Sequence, residues 1–373
     1  MKILFVDPFE MTLFCFRKEL LDSLLDDGNE VYLCVKVTPR VEEEYESRVK
    51  ELIDIDLDLK TKSIFQNIKT IRTYKKTIKR IQPDLILSYT IKPNVYCGFY
   101  AKNIPMIANV TGLGTIFSKD SKLKSVGISL YKRSFKNVDY VFFQNESSLE
   151  YFLNHHVKMS NYKVIPGSGV NTSKMFPRPL NTASEVTNFL FASRASIQEK
   201  GFALLVNAIP QVAENNSAVH FNFLVDGNEI NFDSKISGIL KKYKDYVTIL
   251  PRTNDMVSLY ASNDFLVSPS YYNEGISNVL LESLSCGRPI ITTMDNPGCK
   301  EVLIEGENGF GCKSNDLPSL VESLIKASKL SKKEIEKMGQ KGRAFVVENY
   351  ERNTIIKIYK ETISELLQSK RVK

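Results

Sequence analysis

The sequence has little from which to build a metal centre or a disulfide framework. Histidine occurs three times in 373 residues, twice as the neighbours His155 and His156, which argues against a histidine-rich metal site. The six cysteines, Cys15, Cys34, Cys97, Cys286, Cys299 and Cys312, are far apart and form no Cys-x-x-Cys pair. That spacing argues against a disulfide scaffold or a structural zinc site and fits a reducing cytosol. No apolar run reaches the roughly 18 residues that a membrane span needs. The opening MKILFVDPFE is not that of a signal peptide and reads as a first buried strand. It also lacks a glycine fingerprint after that strand, which disfavours a dinucleotide-dependent dehydrogenase. Acids are nearly missing from one long stretch: between Lys60 and Lys136 sixteen basic residues face only Asp84 and Asp120. The whole chain carries a formal charge of +7, so the remainder is net acidic. Such asymmetry implies an anionic partner, whether a lipid surface, a phosphorylated substrate or a nucleic acid. Solvated helix faces are the alternative, but such faces normally intersperse acids among their bases.

What is present describes a soluble α/β enzyme. Hydrophobic residues make up 43% and charged residues 25%, and the length suggests two domains. MKILFVDP, EVYLCVK, IDIDLDL, PDLILSYT, PMIANVTG, VDYVFFQN and YKVIPGS read as strands. Between them lie helical patterns, including LFCFRKELLDSLLDDG, an acidic segment Val41–Leu52, and Ile64–Ile81. The last would place Ile64, Ile68, Ile71, Ile78 and Ile81 on one face. Asn171–Val186, with two prolines and no periodicity, reads as a linker. The alternation then restarts with NFLFASR and runs through HFNFLVDG, YVTILP, DFLVSPS and PIITTM, and three helical segments close the chain. Repeated strand–helix units predict two Rossmann-like, doubly wound αβα domains facing a central cleft. The first would span 1–175, with a terminal helix 351–373 packing back on it, and the second 176–350.

The most informative stretch is SPSYYNEGISNVLLESLSCGRPII, Ser268 to Ile291. A strand ends near Pro269, a loop carries Glu274 and Gly275, and a helix runs from about Ile276 to Cys286 and stops at Gly287. Glu274 falls just before the helix N-terminus and Glu282 two turns later. The amides of Gly275, Ile276 and Ser277 would make a cradle for an anion or a hydroxyl, and a carboxylate there can accept hydrogen bonds from a diol. The alternative makes Glu274 a carboxylate favoured by the helix dipole and Glu282 a surface residue. Glu282 nevertheless lies among Leu280, Leu281 and Leu284.

In this setting Glu274 and Glu282 resemble the paired glutamates of the retaining GT-B glycosyltransferases, the family 4 or group 1 type. FASRASIQEKG (Phe191–Gly201) resembles that family's element carrying an arginine and a lysine on the donor diphosphate. DNPGCKEVLIEGENGF and VIPGSGVN resemble its segments after the glutamates and at the entry to the second domain. YTIKPNVYCGFYAKNIPMIANVTGLGTIF (Tyr89–Phe117) resembles bacterial members that extend polyprenyl-diphosphate-linked oligosaccharides. Among these are the α-1,3-N-acetylgalactosaminyltransferases of O-antigen, capsule and glycoprotein-glycan assembly.

The resemblance implies a UDP-sugar donor, retention of configuration, no obligatory metal and a polyprenyl-diphosphate-linked acceptor. It implies catalytic roles for Glu274, Lys200 and Arg194 and donor contacts from Glu282, Gly275, Ile276, Ser277 and Asn278. On the acceptor side it implies Arg17, Lys92, Thr111 and Gly112. The basic stretch would dock on the anionic inner face of the cytoplasmic membrane without a span, and no nucleic acid is expected. Two departures stand out. Arg194 and Lys200 are six residues apart where the family commonly has five, so either the loop is longer or one partner differs. DPFEMTLFCFR also replaces the glycine-rich turn of many members; its Arg17 either faces acceptor diphosphate or stands on a helix surface.

Three other readings are weaker. The Asp-x-Asp patterns of DIDLDL could mark a metal site of another glycosyltransferase architecture, but their alternation with Ile53, Ile55, Leu57 and Leu59 suits a half-exposed strand. A hydrolysing sugar-nucleotide epimerase also uses two such domains and would need no lipid. A non-enzymatic carbohydrate- or nucleic-acid-binding module would need exposed aromatics among the bases, whereas Tyr96, Phe99 and Tyr100 suit a buried helix face.

Overall fold

The computed structural model describes residues 1–55, 64–113, 122–193, 198–225, 234–271 and 275–371. The chain divides into two units: Met1–Ser168 with Asn353–Lys373, and Gly169–Arg352.

The first unit is built on seven strands: β1 Lys2–Val6, β2 Glu30–Val35, β3 Glu51–Asp54, β4 Leu85–Tyr89, β5 Met106–Val110, β6 Tyr140–Phe143 and β7 Tyr162–Val164. Their order is β3-β2-β1-β4-β5-β6-β7, and each pairing is parallel. A parallel sheet must be covered on both faces, and the side chains of β1 divide accordingly. Leu4 and Val6 enter one core with Tyr74, Tyr131 and Phe135. Ile3 and Phe5 enter another with Leu21, Tyr45 and Phe142. The second core also receives Ile355, Tyr359, Ile363 and Leu366, one face of the closing helix Arg352–Arg371.

The second unit repeats the plan with β8 Thr187–Ser193, β9 Val219–Val225, β10 Val247–Leu250, β11 Phe265–Ser268, β12 Ile290–Thr293 and β13 Gly309–Cys312. Here the order is β10-β9-β8-β11-β12-β13, again parallel. Phe189 and Phe191 face one core and Leu190 the other. In both sheets the strand order reverses at one place, between β1 and β4 and between β8 and β11. Crevices at such switch points, at the carboxyl ends of the strands, are where ligands bind in open α/β sheets.

Several local expectations are corrected. The helix expected over Val41–Leu52 is confined to Pro39–Tyr45, because Leu52 is taken into β3, opposite Leu33 of β2. Asp54 ends that strand, accepting from the Val37 amide at 2.9 Å, whereas Asp56 and Asp58 lie outside the described residues. In the helix Ile64–Ile81 the buried line is Thr70, Tyr74, Thr77, Ile78 and Ile81. Tyr74 has the most surface to bury and turns the stripe away from Ile68, which is 39% exposed; the side chain of Ile64 lies outside the described residues.

The segment expected as a free linker is fastened to the second unit by two arginines. Arg343 donates to the carbonyls of Thr172 and Met175, and buried Arg288 donates to that of Arg178. Charged donors satisfy carbonyls that have no regular partner in an irregular segment.

Candidate functional site

The switch point of the second unit is assembled from the ends of β8 and β11. Lys200 is half-buried and precedes Gly201, whose φ of +84° lies in the left-handed region. A Cβ at Gly201 would sit 2.3 Å from the Pro269 carbonyl oxygen, so only glycine lets this loop lie against the end of β11. The contact is extended by the Glu199 carbonyl, which accepts from the Tyr271 amide at 3.1 Å and the Ser270 hydroxyl at 3.4 Å. The carbonyl of Ser270 in turn accepts from Thr293 Oγ1 at 2.6 Å and Asn296 Nδ2 at 3.2 Å. Lys200 is thereby fixed beside the segment that leads to Gly275.

Gly275, Ile276 and Ser277 are buried, and Ser277 caps the helix Asn278–Ser285. The Ser277 carbonyl accepts from the Leu280 amide at 3.1 Å, but its side chain makes no cap bond. Its Oγ is instead buried with no partner among the described residues, in a residue only 2% exposed. An orphaned hydroxyl costs free energy unless something else satisfies it. Asn278 Nδ2 reaches the Gly169 carbonyl at 3.4 Å. One turn on, Glu282 is half-buried, and its Oε2 accepts from the Tyr260 hydroxyl at 3.0 Å. Glu274 and Arg194 lie outside the described residues. The structure thus brings Lys200, Gly275, Ile276, Ser277, Asn278 and Glu282 to one end of one sheet. Tyr260 was not legible as their companion, being joined to Glu282 only through the fold.

The switch point of the first unit holds a second polar cluster. Asp7 follows β1 directly and is fully buried. Its Oδ1 accepts from Thr12 Oγ1 at 2.5 Å and from the Phe9 amide at 3.4 Å, whereas Oδ2 has no partner among the described residues. Burial pushes this carboxyl up to about 6, with Thr12, Arg17 and Phe9 restraining the rise. Arg17 ends a π-helical turn, Leu13–Arg17, and is 5% exposed, so it is not the surface residue of the alternative reading. Its guanidinium carbon lies 4.5 Å from the Tyr89 ring centroid, and Nη1 donates to the Phe16 carbonyl at 3.3 Å. Its Nε has no partner among the described residues.

Beyond β4, Thr90 takes a φ of +71°, strained for a β-branched residue. Below it Ser88, Asn94 and Asn109 form a buried chain. Ser88 Oγ donates to Asn94 Oδ1 at 2.6 Å, Asn94 Nδ2 to the Asn109 carbonyl at 2.7 Å, and the Tyr359 hydroxyl to Asn109 Oδ1. Lys92 follows β4, while Thr111 and Gly112 follow β5; all three are half-buried. The residues expected on the acceptor side therefore share the carboxyl end of this sheet with Arg17. Asp7 escaped the sequence reading, since a carboxylate after a strand looks like any turn residue.

Residues 2–145 match the family model for glycosyl transferase 4-like proteins, and residues 186–329 match that for glycosyl transferases group 1. The chain belongs to these glycosyltransferases. A protein of Campylobacter jejuni described as N,N'-diacetylbacillosaminyl-diphospho-undecaprenol α-1,3-N-acetylgalactosaminyltransferase is 28% identical over 344 residues, which cover 87% of this glycosyltransferase and 88% of that protein. A crystal structure of a Rickettsia africae glycosyltransferase superimposes with a TM-score of 0.79 at 19% identity, covering 98% of each chain. Anabaena HepE in complex with UDP and glucose superimposes with a TM-score of 0.77 at 16% identity, covering 98% of this chain and all of HepE. The fold of the glycosyltransferase is that of GT-B enzymes, with two parallel-sheet Rossmann-like domains. Among the described residues no helix is long and apolar enough to cross a membrane.

Proposed function

We propose that this glycosyltransferase moves a hexose or N-acetylhexosamine, N-acetylgalactosamine by preference, from a UDP-sugar to a polyprenyl-diphosphate-linked saccharide, with retention of configuration. The donor belongs to the second unit and the acceptor to the first. The observation that carries the donor assignment is the buried, unsatisfied Ser277 hydroxyl beside the loop fixing Lys200. A sugar nucleotide offers both an anion for the Lys200 ammonium and polar atoms for the orphaned Ser277 hydroxyl. The UDP held by HepE and the acceptor named for the Campylobacter relative support the same choice.

In this reading Lys200 and Arg194 stabilise charge developing on the departing diphosphate. Glu274 holds the donor sugar through its hydroxyls, Glu282 holds the ribose diol, and the amides of Gly275, Ile276 and Ser277 complete the clamp. The acceptor hydroxyl gives its proton to a donor phosphate oxygen, and the reaction needs no metal.

Attachment to the inner leaflet falls to the helix Ile64–Ile81. Lys69, Arg72, Lys75, Lys76, Lys79 and Arg80 are exposed along it, and it contains no acid. Ile68, Lys69, Arg72, Thr73 and Lys76 line a shallow hollow on this face. Cations around an exposed apolar side chain suit anionic headgroups above acyl chains.

The test is the product made from UDP-N-acetylgalactosamine and a short diphosphate-linked acceptor, analysed by NMR with and without chelator. An α-anomeric product formed equally in both is expected. A β-anomer would overturn retention, and a product that disappears with chelator and returns with manganese would overturn the metal-free reaction.

A further inference from the structure

In the first unit two buried ionisable groups each keep one polar atom without a partner among the described residues: Asp7 Oδ2 and Arg17 Nε. The orphaned atoms belong to groups that are otherwise held fast. Thr12 and Phe9 fasten the other carboxylate oxygen of Asp7. Stacking on Tyr89 and the bond to Phe16 fix the plane of the Arg17 guanidinium. No ion pair joins the two, and for Asp7 the cost of burial outweighs the help from Thr12, Arg17 and Phe9. Packing does not require the arrangement, because an apolar pair would avoid that cost. Three further features coincide here: the strand-order reversal at β1/β4, the π-turn that delivers Arg17, and the strained Thr90. Each of these is enriched at functional sites.

We propose that Asp7 and Arg17 form a recognition pair for a glycosyl phosphate, Asp7 Oδ2 accepting from a ring hydroxyl and Arg17 Nε donating to an oxygen of the phosphate. The free atoms fit that ligand: one is an acceptor beside an occupied acceptor, the other a charged donor on a fixed plane. The assignment rests on the reading of the first unit as the acceptor domain, and it makes the saccharide joined to the diphosphate, rather than the lipid, what this site reads. Asp7 is then a positioning residue for the acceptor sugar.

The pH dependence follows from its surroundings. Among the described residues the titratable groups near Asp7 are Arg17, Tyr74 from the helix Ile64–Ile81 and Tyr89 from β4. The two phenols stay neutral because burial raises them further. Asp7 alone changes charge near neutrality, and it accepts from a hydroxyl best when ionised, above about pH 6.

The test is calorimetric titration of the full chain with N-acetylglucosamine 1-phosphate at pH 7.5 and pH 5, alongside UDP. The glycosyl phosphate should bind wild type more weakly at pH 5 than changes in UDP binding account for. Asp7→Asn should weaken it roughly 10- to 100-fold at pH 7.5, the range for a lost hydrogen bond to a charged group, and should flatten the pH response. Arg17→Lys should weaken binding at both pH values. UDP affinity should stay unchanged, and a cooperative thermal melt with the wild-type circular-dichroism spectrum reports that the variants are folded. Absence of binding to wild type, or binding indifferent to Asp7→Asn and Arg17→Lys, overturns the proposal. If Asp7→Asn does not fold, the wild-type pH response decides alone.

The outcome separates from that of the proposed function. Sugar transfer to lipid with an acceptor KM indifferent to both substitutions would remove the site and leave the transferase. Binding as expected without transfer from any donor would do the reverse.

Discussion

The Tyr260 hydroxyl donates to Glu282 Oε2 at 3.0 Å, and through that bond a short helix, Met256–Ala261, sets the orientation of a carboxylate on the helix Asn278–Ser285. Tyr260 is buried and its ring is held in the core with Leu266 and Leu281. If Glu282 holds the donor ribose, Tyr260→Phe should loosen it without emptying the core. The expected result is a three- to tenfold rise in the KM for the UDP-sugar, in keeping with about 1 kcal/mol for one hydrogen bond. The acceptor KM and the melting temperature should stay nearly constant. Steady-state kinetics with each substrate varied in turn would check this.

The loop at Lys200 separates chemistry from scaffold. Lys200→Ala should lower turnover by orders of magnitude with an unchanged thermal melt if the side chain serves the leaving diphosphate as proposed. Gly201→Ala should damage both, since its φ is positive and a Cβ would meet the Pro269 carbonyl at 2.3 Å. A cost of about 1–3 kcal/mol or more is expected from the strain. Near-normal turnover in Lys200→Ala would remove that residue from the mechanism.

Asp7 gives a stability prediction whose sign is fixed. Its folded value, about 6, lies above the ordinary carboxylate value of 3.8. Between these two the folded protein binds more protons than the unfolded chain, so stability falls as pH rises through that window. Below about pH 4 both states are protonated and the penalty vanishes. Asp7→Asn keeps an acceptor for Thr12 and Phe9 but cannot ionise. It should therefore melt higher than wild type at pH 7.5, by about 1–3 kcal/mol of stability, with the advantage gone near pH 4. Denaturant titrations at the two pH values would measure it. A variant more stable yet poorer at binding is the usual signature of a functional residue.

Charge reversal on the helix Ile64–Ile81 tests membrane docking apart from catalysis. Lys69→Glu, Arg72→Glu and Lys76→Glu combined should abolish sedimentation with vesicles containing anionic lipid, each lost cation being worth about 1 kcal/mol at the surface. Wild-type binding should weaken as salt is raised. Transfer to a short-chain soluble acceptor should be unaffected. Equal vesicle binding by the triple variant would place docking elsewhere.

Much of this fold was legible in the sequence because burial on both faces leaves continuous apolar runs. ILFV, LILS and IITT could only be interior parallel strands once helical patterns separated them. The candidate site of the second unit was legible as a local cluster: Gly275 to Glu282 is contiguous, and a strand–loop–helix fixes where its residues lie. The buried polar cluster of the first unit was not. The π-turn Leu13–Arg17 inserts into a helix and shifts its register, so a helical wheel misplaces Arg17 and leaves its burial unseen. Asp7 gains its meaning only from the order of β1 and β4, which periodicity does not carry. Tyr260 and Glu282 lie twenty-two residues apart, and their meeting depends on how β11 sits between two helices. Ile68 failed in the opposite direction, since a regular isoleucine spacing drew the stripe to the wrong side of Tyr74.

The central claim is tested most directly by incubating the protein with a panel of radiolabelled UDP-sugars and a short diphospho-polyprenol-linked saccharide, then counting label in the lipid fraction. Transfer from one donor, N-acetylgalactosamine foremost, is the expected result. A panel in which no donor labels the lipid, while a UDP-sugar is hydrolysed or epimerised without it, would contradict the account.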